Sequence, residues 1–268
     1  MADSRLGRRL ISAAKQDRWE RTVEAAVRQA LARHQARALA AARTVTASSP
    51  PDPFEIDTWD TSVDEVVVPA VRSVLSEAAD SAVAFLSLPP DVRARVLAAL
   101  DVDSEAESFV GRIRGIGPDI AEQLRLALNS GLRQGESIGK LQARIGDVFA
   151  VGERRSEAIA RTEVHGAAMR AGNTSAGALH DSGTAMIKTW MTTLDDRTRD
   201  DHADADGQEV PFDQPFVVGG EELDYPGDPS GSAENVINCR CDVIYDEAPI
   251  EGEEVMGELP SGQNDEEA

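Results

Sequence analysis

Cys239 and Cys241 are the two cysteines of this 268-residue chain, and only Arg240 separates them in "NVINCRCDVIY" (235–245). Thiols one residue apart on an extended segment point to the same side, because strand side chains repeat every two residues. A disulfide between them would close a very small ring with poor geometry. Both sulfurs can instead reach one ion. A tetrahedral zinc site takes about four nitrogen, sulfur or oxygen ligands. His202, in the loop "DDRTRDDHADADG" (195–207), becomes a third ligand if the strand before it pairs near the cysteines. The fourth is Asp200, Asp201, Asp206, Asp228 or a water. The opposing reading makes the cysteines small half-buried residues and His202 a surface residue. A metal here would be structural, since a loop-rich segment with little core gains most from a clip. The catalytic alternative is a metal-dependent hydrolase that uses His202, Cys239 and Cys241 and keeps one position open.

The elements that must position these groups follow from periodicity. Residues 5–46 read as one long helix, with Val23, Val27 and Leu31 three or four apart. "TASSPPDPFE" breaks it. A helical block follows, with a kink or restart at Pro69, a capping box at Ser104 and Glu107, and a helix opening at Gly117-Pro118. "SIGKLQARIGDVF" reads as a short helix, and a separate long one runs to Gly183. "AMIKTWMTT" alternates as a strand. Short strands are expected near Glu209-Val210 and Phe216-Val218, and a last one at "CRCDVIYD". The fold class is therefore α+β: a mostly helical N-terminal body, and a long helix feeding a small loop-rich antiparallel β module. The units are a basic N-terminal helix (1–47), a helical body (48–150), an α+β module (151–246) and a disordered acidic tail (247–268).

Charge is unevenly spread. The net charge is −21, yet residues 1–47 carry ten Arg/Lys against four Asp/Glu, and residues 246–268 carry nine Asp/Glu and no base. Arg5, Arg8, Arg9, Lys15, Arg18 and Arg21 make the head a candidate contact for DNA phosphate or an acidic partner. No apolar run has the length of a membrane span. The N-terminus has no secretory pattern, so a cytoplasmic origin is expected. Asp195, Asp196, Arg197, Thr198 and Arg199 form a charged turn, either a carboxylate–guanidinium lattice or ordinary turn chemistry. "IRGIGPDIAEQL" (113–124) has the outline of a phosphate-binding helical hairpin, but a glycine-rich connection is the preferred reading. Trp190 reads as core or as packing on the cysteine strand. His34, His165 and His180 have no clustered partners and read as helix-surface residues.

The order "IARTE" (159–163), then Trp190, Thr192, Asp195, Arg197, Thr198, Arg199 and His202 in one run, then "PGDP" (226–229) and "NCRC" (238–241), closely resembles the Mu F-like family. These are minor head, or head-morphogenesis, proteins of tailed bacteriophages. The resemblance covers about 150–246 and extends more loosely back over 115–145. It implies a structural protein of the virion head, made in the host cytoplasm beside the portal, that acts by binding rather than catalysis. Its implied partners are portal, major capsid or scaffold protein, and packaged DNA during delivery. Many relatives have a Cys-x-x-Cys where Arg199 and His202 stand, and a His where Val236 and Ile237 stand. The resemblance also favours a buried structural network of Arg161, Glu163, Trp190, Asp196 and Arg197 that links helix to strands. An ADP-ribosyltransferase would need an Arg, a Ser-Thr-Ser-like strand and a Glu-x-Glu. "NTS" (173–175) falls in a helical stretch and Glu251 and Glu253 in the tail, so that reading is rejected.

Overall fold

The computed structural model of the chain describes residues 12–43, 55–86 and 88–248. Arg5, Arg8 and Arg9, most of the proline-rich break and the acidic segment from 249 onward lie outside the described residues. Helix α1 (Ala13–Ala41) starts at Ser12, whose hydroxyl accepts from the Lys15 amide. Trp19, Val23, Ala26, Val27, Ala30 and Leu31 are buried along one stripe of it.

Helix α2 (Ile56–Ser62) runs through a π-helical turn (Val63–Val67) into α3 (Val68–Phe85). Pro69 gives the reason. It has no N–H to return to Glu65, and the Val68 amide reaches back five residues to the Val63 carbonyl. Two short helices follow, α4 (Pro90–Ala99) and α5 (Val102–Arg114). The capping box expected at Ser104 and Glu107 is not what opens α5. Asp101, at φ 37°, caps it three residues earlier and accepts from the Ser104 amide.

Helix α6 (Ile116–Arg133) follows α5 almost without a break. A Cβ on Gly117 would lie 2.4 Å from Trp59 Cδ1, so this glycine exists to seat the indole. Trp59 Nε1 donates to the Arg114 carbonyl in the same joint. Gly117 thus serves helix packing and Gly115 joins α5 to α6, while Pro118 is the third residue of α6 rather than the first helical position expected from sequence.

Helix α7 (Ile138–Asp181) is a single 44-residue rod, about 66 Å long. The sequence divided it into two helices, and the expected unit boundary at 150 falls within its continuous span. Gly152 does not end it, because the missing Cβ is where Ile120 Cδ1 packs. Around α7 lie α1, α3, α4, α5 and α6. One buried cluster runs from Trp19 through Phe109 and Val164 to Trp190 and Val243.

The chain then turns to strands. β1 (Met186–Met191), β2 (Glu209–Pro211) and β5 (Asp242–Glu247) form an antiparallel sheet in the order β2-β1-β5. Trp190 sits opposite Val243, and Lys188 opposite Tyr245. β3 (Phe216–Val218) and β4 (Glu221–Leu223) make a hairpin. Gly219 and Gly220, both at positive φ, form its tip, the backbone a tight two-residue turn requires. Two short helices complete the module, α8 (Asp200–Asp204) and α9 (Ala233–Val236). The result is an α+β protein. Among the described residues, no helix is long and apolar enough to cross a membrane.

Candidate metal centre

The cysteines are not on the last strand, as their spacing suggested. β5 begins at Asp242, and both thiols lie in the turn before it. That turn is set by Asn238, at φ 56°, and by the Cys239 amide donating to the Val236 carbonyl. Asparagine is among the few residues that take this left-handed backbone readily. His202 arrives from the other side, on α8. The Thr192 hydroxyl donates to the His202 carbonyl at 2.6 Å, and Trp190 Nε1 donates to that hydroxyl at 3.1 Å. The Trp190 ring meets the imidazole edge-on at 5.8 Å between centroids.

Three donors converge as a result. His202 Nδ1 lies 3.2 Å from Cys241 Sγ and 3.8 Å from Cys239 Sγ. All three donor atoms are within 4.8 Å of one another, on residues that are buried. A zinc ion about 2.3 Å from sulfur and 2.0–2.1 Å from nitrogen, with tetrahedral angles, puts N and S roughly 3.5 Å apart. The two observed separations fall on either side of that value, so the donor set fits the ion.

The tautomer fits as well. Asn235 Nδ2 donates to the Val218 carbonyl at 3.3 Å, which turns Oδ1 toward His202 Nε2, also at 3.3 Å. Nε2 then carries the hydrogen, and Nδ1 presents its lone pair to the sulfurs. One thiol supports the other as a thiolate. Cys241 is pulled down to about 5, chiefly by its bond from Cys239. Cys239 is pushed up by the same neighbour and by burial.

The four aspartates considered as a fourth ligand are elsewhere. Asp228 accepts from the Asp224 amide and from the amide and hydroxyl of Ser230. Asp206 accepts from the Thr192 amide. Asp201 lies against Gly219, and Asp200 is exposed. Among the described residues, the cluster has three protein donors.

Arg240 turns away from the sulfurs that flank it. It forks onto Asp195 with two bonds of 2.6 Å, and this pairing holds the Asp195 carboxyl well below the carboxylate range. The charged turn is thus organised by Asp195 and Arg240. Arg197 adds its amide and a looser contact to Asp195, and Asp196 is exposed. Arg161 and Glu163 are half-buried rather than enclosed. Arg161 bonds Asn238 Oδ1 at 3.2 Å, and the Asn238 amide donates to Thr162, tying α7 to the cysteine turn. Glu163 faces the other way and pairs with Arg112 of α5. Trp190 is fully buried beneath the site.

Other expected residues are placed as follows. Lys15 donates to the Ser81 hydroxyl, Arg18 pairs with Glu77, and Arg21 is exposed. His34 and His165 are buried, not on the helix surface, and His180 is half-buried against Phe212. Sequence reasoning missed Asn235 and Lys188, and named Thr192 only as part of the motif run. Lys188 is buried, with Nζ donating to the Asp224 carbonyl at 2.9 Å beside the rings of Phe212 and Phe216. The first of these stands in the cysteine segment itself, where an Asn four residues ahead of the first thiol was the available signal.

Comparison with known proteins falls on the same region. Residues 122–244 match the family described as Phage Mu protein F like protein. The chain is 28% identical over 145 residues to the minor head protein GP7 of Bacillus phage SPP1, covering 53% of this chain and 44% of that one. It is 27% identical over 126 residues to an NAD(+)--arginine ADP-ribosyltransferase EFV of Enterococcus faecalis, covering 47% of this chain and 26% of that one. The chain therefore spans less than half the length of either relative. Residues 173–175, weighed above for a transferase strand, lie within α7. No solved structure matches the chain. From within α6 through the cysteine turn to β5, it is residues 122–244 that are similar to the Phage Mu protein F like family.

Proposed function

We propose that this protein is a structural minor head protein of a tailed bacteriophage, acting by binding within the virion head during morphogenesis. The observation that carries this reading is the match of 122–244 to the Mu F-like family, in the segment that encloses the three-donor cluster. The similarity to a phage minor head protein supports it. The transferase similarity covers about a quarter of that enzyme and leaves the reading of a binding protein in place. The partners fitting this role are the portal, major capsid or scaffold protein, with packaged DNA on the basic head.

His202, Cys239 and Cys241 would hold a structural zinc, which when bound supplies a cross-link between α8 and the turn before β5. The cluster is buried among Trp190, Asn235 and Thr192 rather than set in an open cleft. That setting supports a clip more than a hydrolase. The test is to locate the chain in imaged particles of the parent phage, with a pull-down against portal protein over a salt series. Density for this chain at the portal vertex and retention by portal protein are expected. Particles that lack the chain, and a portal that never retains it, would overturn the reading.

A further inference from the structure

We infer that the fourth coordination position of the His202–Cys239–Cys241 site is open and takes a small, exchangeable monoanion. This rests on the metal reading above and goes beyond it, because it assigns a ligand class that the described residues do not themselves supply.

Space is the first observation. A cavity lined by His202, Cys241, Thr193, Thr198, Arg199 and Arg240 leaves about 20 Å³ open to the centre of a water-sized sphere. That is room for one small species. An organic substrate does not fit. The cavity touches two of the three donors, so an atom seated in it is beside the site.

The second observation is that, among the described residues, no fourth protein donor joins the cluster. The aspartates near enough to be considered are bonded to backbone amides or point elsewhere. Thr193 and Thr198 spend their hydroxyl hydrogens on the Arg240 and Thr193 carbonyls. Their oxygens line the cavity without completing the cluster.

Charge then selects the occupant. Three guanidiniums, Arg197, Arg199 and Arg240, border the cavity. Asp195 answers Arg240 and, loosely, Arg197. Arg199 donates to the Ile237 carbonyl, and among the described residues no carboxylate pairs with it. Two thiolates and a neutral imidazole around a divalent ion sum to zero, so the arginine field is left to favour an added negative charge. A one-atom or rod-shaped monoanion matches both the volume and the sign.

The experiment loads the full chain with cobalt(II), whose charge-transfer band reports thiolate ligation and whose visible bands report coordination geometry. Azide is then titrated. A thiolate band is expected first, followed by a saturable change in the visible bands, while circular dichroism shows the fold intact. In Arg199→Gln, azide should bind about tenfold more weakly. A thiolate band with visible bands indifferent to azide would overturn the open position and leave the metal site standing. Equal azide affinity in Arg199→Gln would overturn the role given to that arginine. If no thiolate band forms, the metal reading falls and this inference with it.

Discussion

At the scale of single residues, the cysteines and His202 were legible because their types are rare and their chemistry is narrow. Asn235 was harder to read: its place four residues ahead of Cys239 was the available signal, and its type, beside a glutamate and two apolar residues, adds nothing. Its role follows only from the Val218 carbonyl that orients its amide. Replacing it by leucine removes the acceptor on His202 Nε2, and zinc affinity should fall ten- to a hundredfold. Competition with a chromogenic chelator measures this, and unchanged affinity would count against the assigned tautomer. Lys188 was illegible for another reason. In "MIKTWM" the charged residue is naturally assigned to solvent, yet Met186, Lys188 and Trp190 form the buried face. His165 was misread likewise. Gln16 reaches its Nδ1, its Nε2 has no partner, and Gly227 packs on the ring. Burial lowers its pKa to about 4. A histidine held neutral in the fold but free to charge when unfolded contributes stability that is fully present above pH 6.5. That stability is lost as pH falls toward 4, by about 3 kcal/mol at the lower end. Urea midpoints of the native chain and of His165→Met at pH 7 and pH 4.5 should show a shallower pH dependence in the variant. Parallel pH profiles would refute the assignment.

At the scale of elements, helix and strand types were readable from period, while joints were not. Gly152, inside α7, leaves room for Ile120, a contact between residues 32 apart that no local window contains. The cysteine turn was read as strand because alternation looks the same up to the residue where pairing begins. Gly117 tests the packing account of the α5–α6 joint. Alanine there improves helix propensity by about 1 kcal/mol, but its Cβ would overlap the Trp59 ring. Gly117→Ala should therefore be destabilised by about 1–3 kcal/mol, measured by urea denaturation. A stabilised variant would mean that the indole does not sit there.

At the scale of the molecule, the helical body and the β module share α7 and one buried cluster, but they are held by different means. The body has a ring of helices around α7, with Trp19, Trp59, Phe109 and Phe149 fully buried. Between β1 and β5 the module has three-residue strands, two helices of four and five residues, and many turns. Such a segment sits at the low end of local stability unless something ties it. Asp195–Arg240, Arg161–Asn238 and the three-donor cluster are the ties. The Asp195–Arg240 ion pair and the Arg161–Asn238 hydrogen bond are partly exposed and contribute little each, so the metal proposed for the cluster would carry most of the restraint. Removing zinc with a chelator at neutral pH should then raise amide exchange across residues 192–241 at least tenfold. The buried stripes of α1, α3 and the centre of α7 should keep their protection, because their packing does not involve the ion. Hydrogen exchange read by mass spectrometry separates the two regions. Protection in 192–241 that is indifferent to the chelator, in a chain shown to have contained zinc, would mean that the ion is not what holds the module closed.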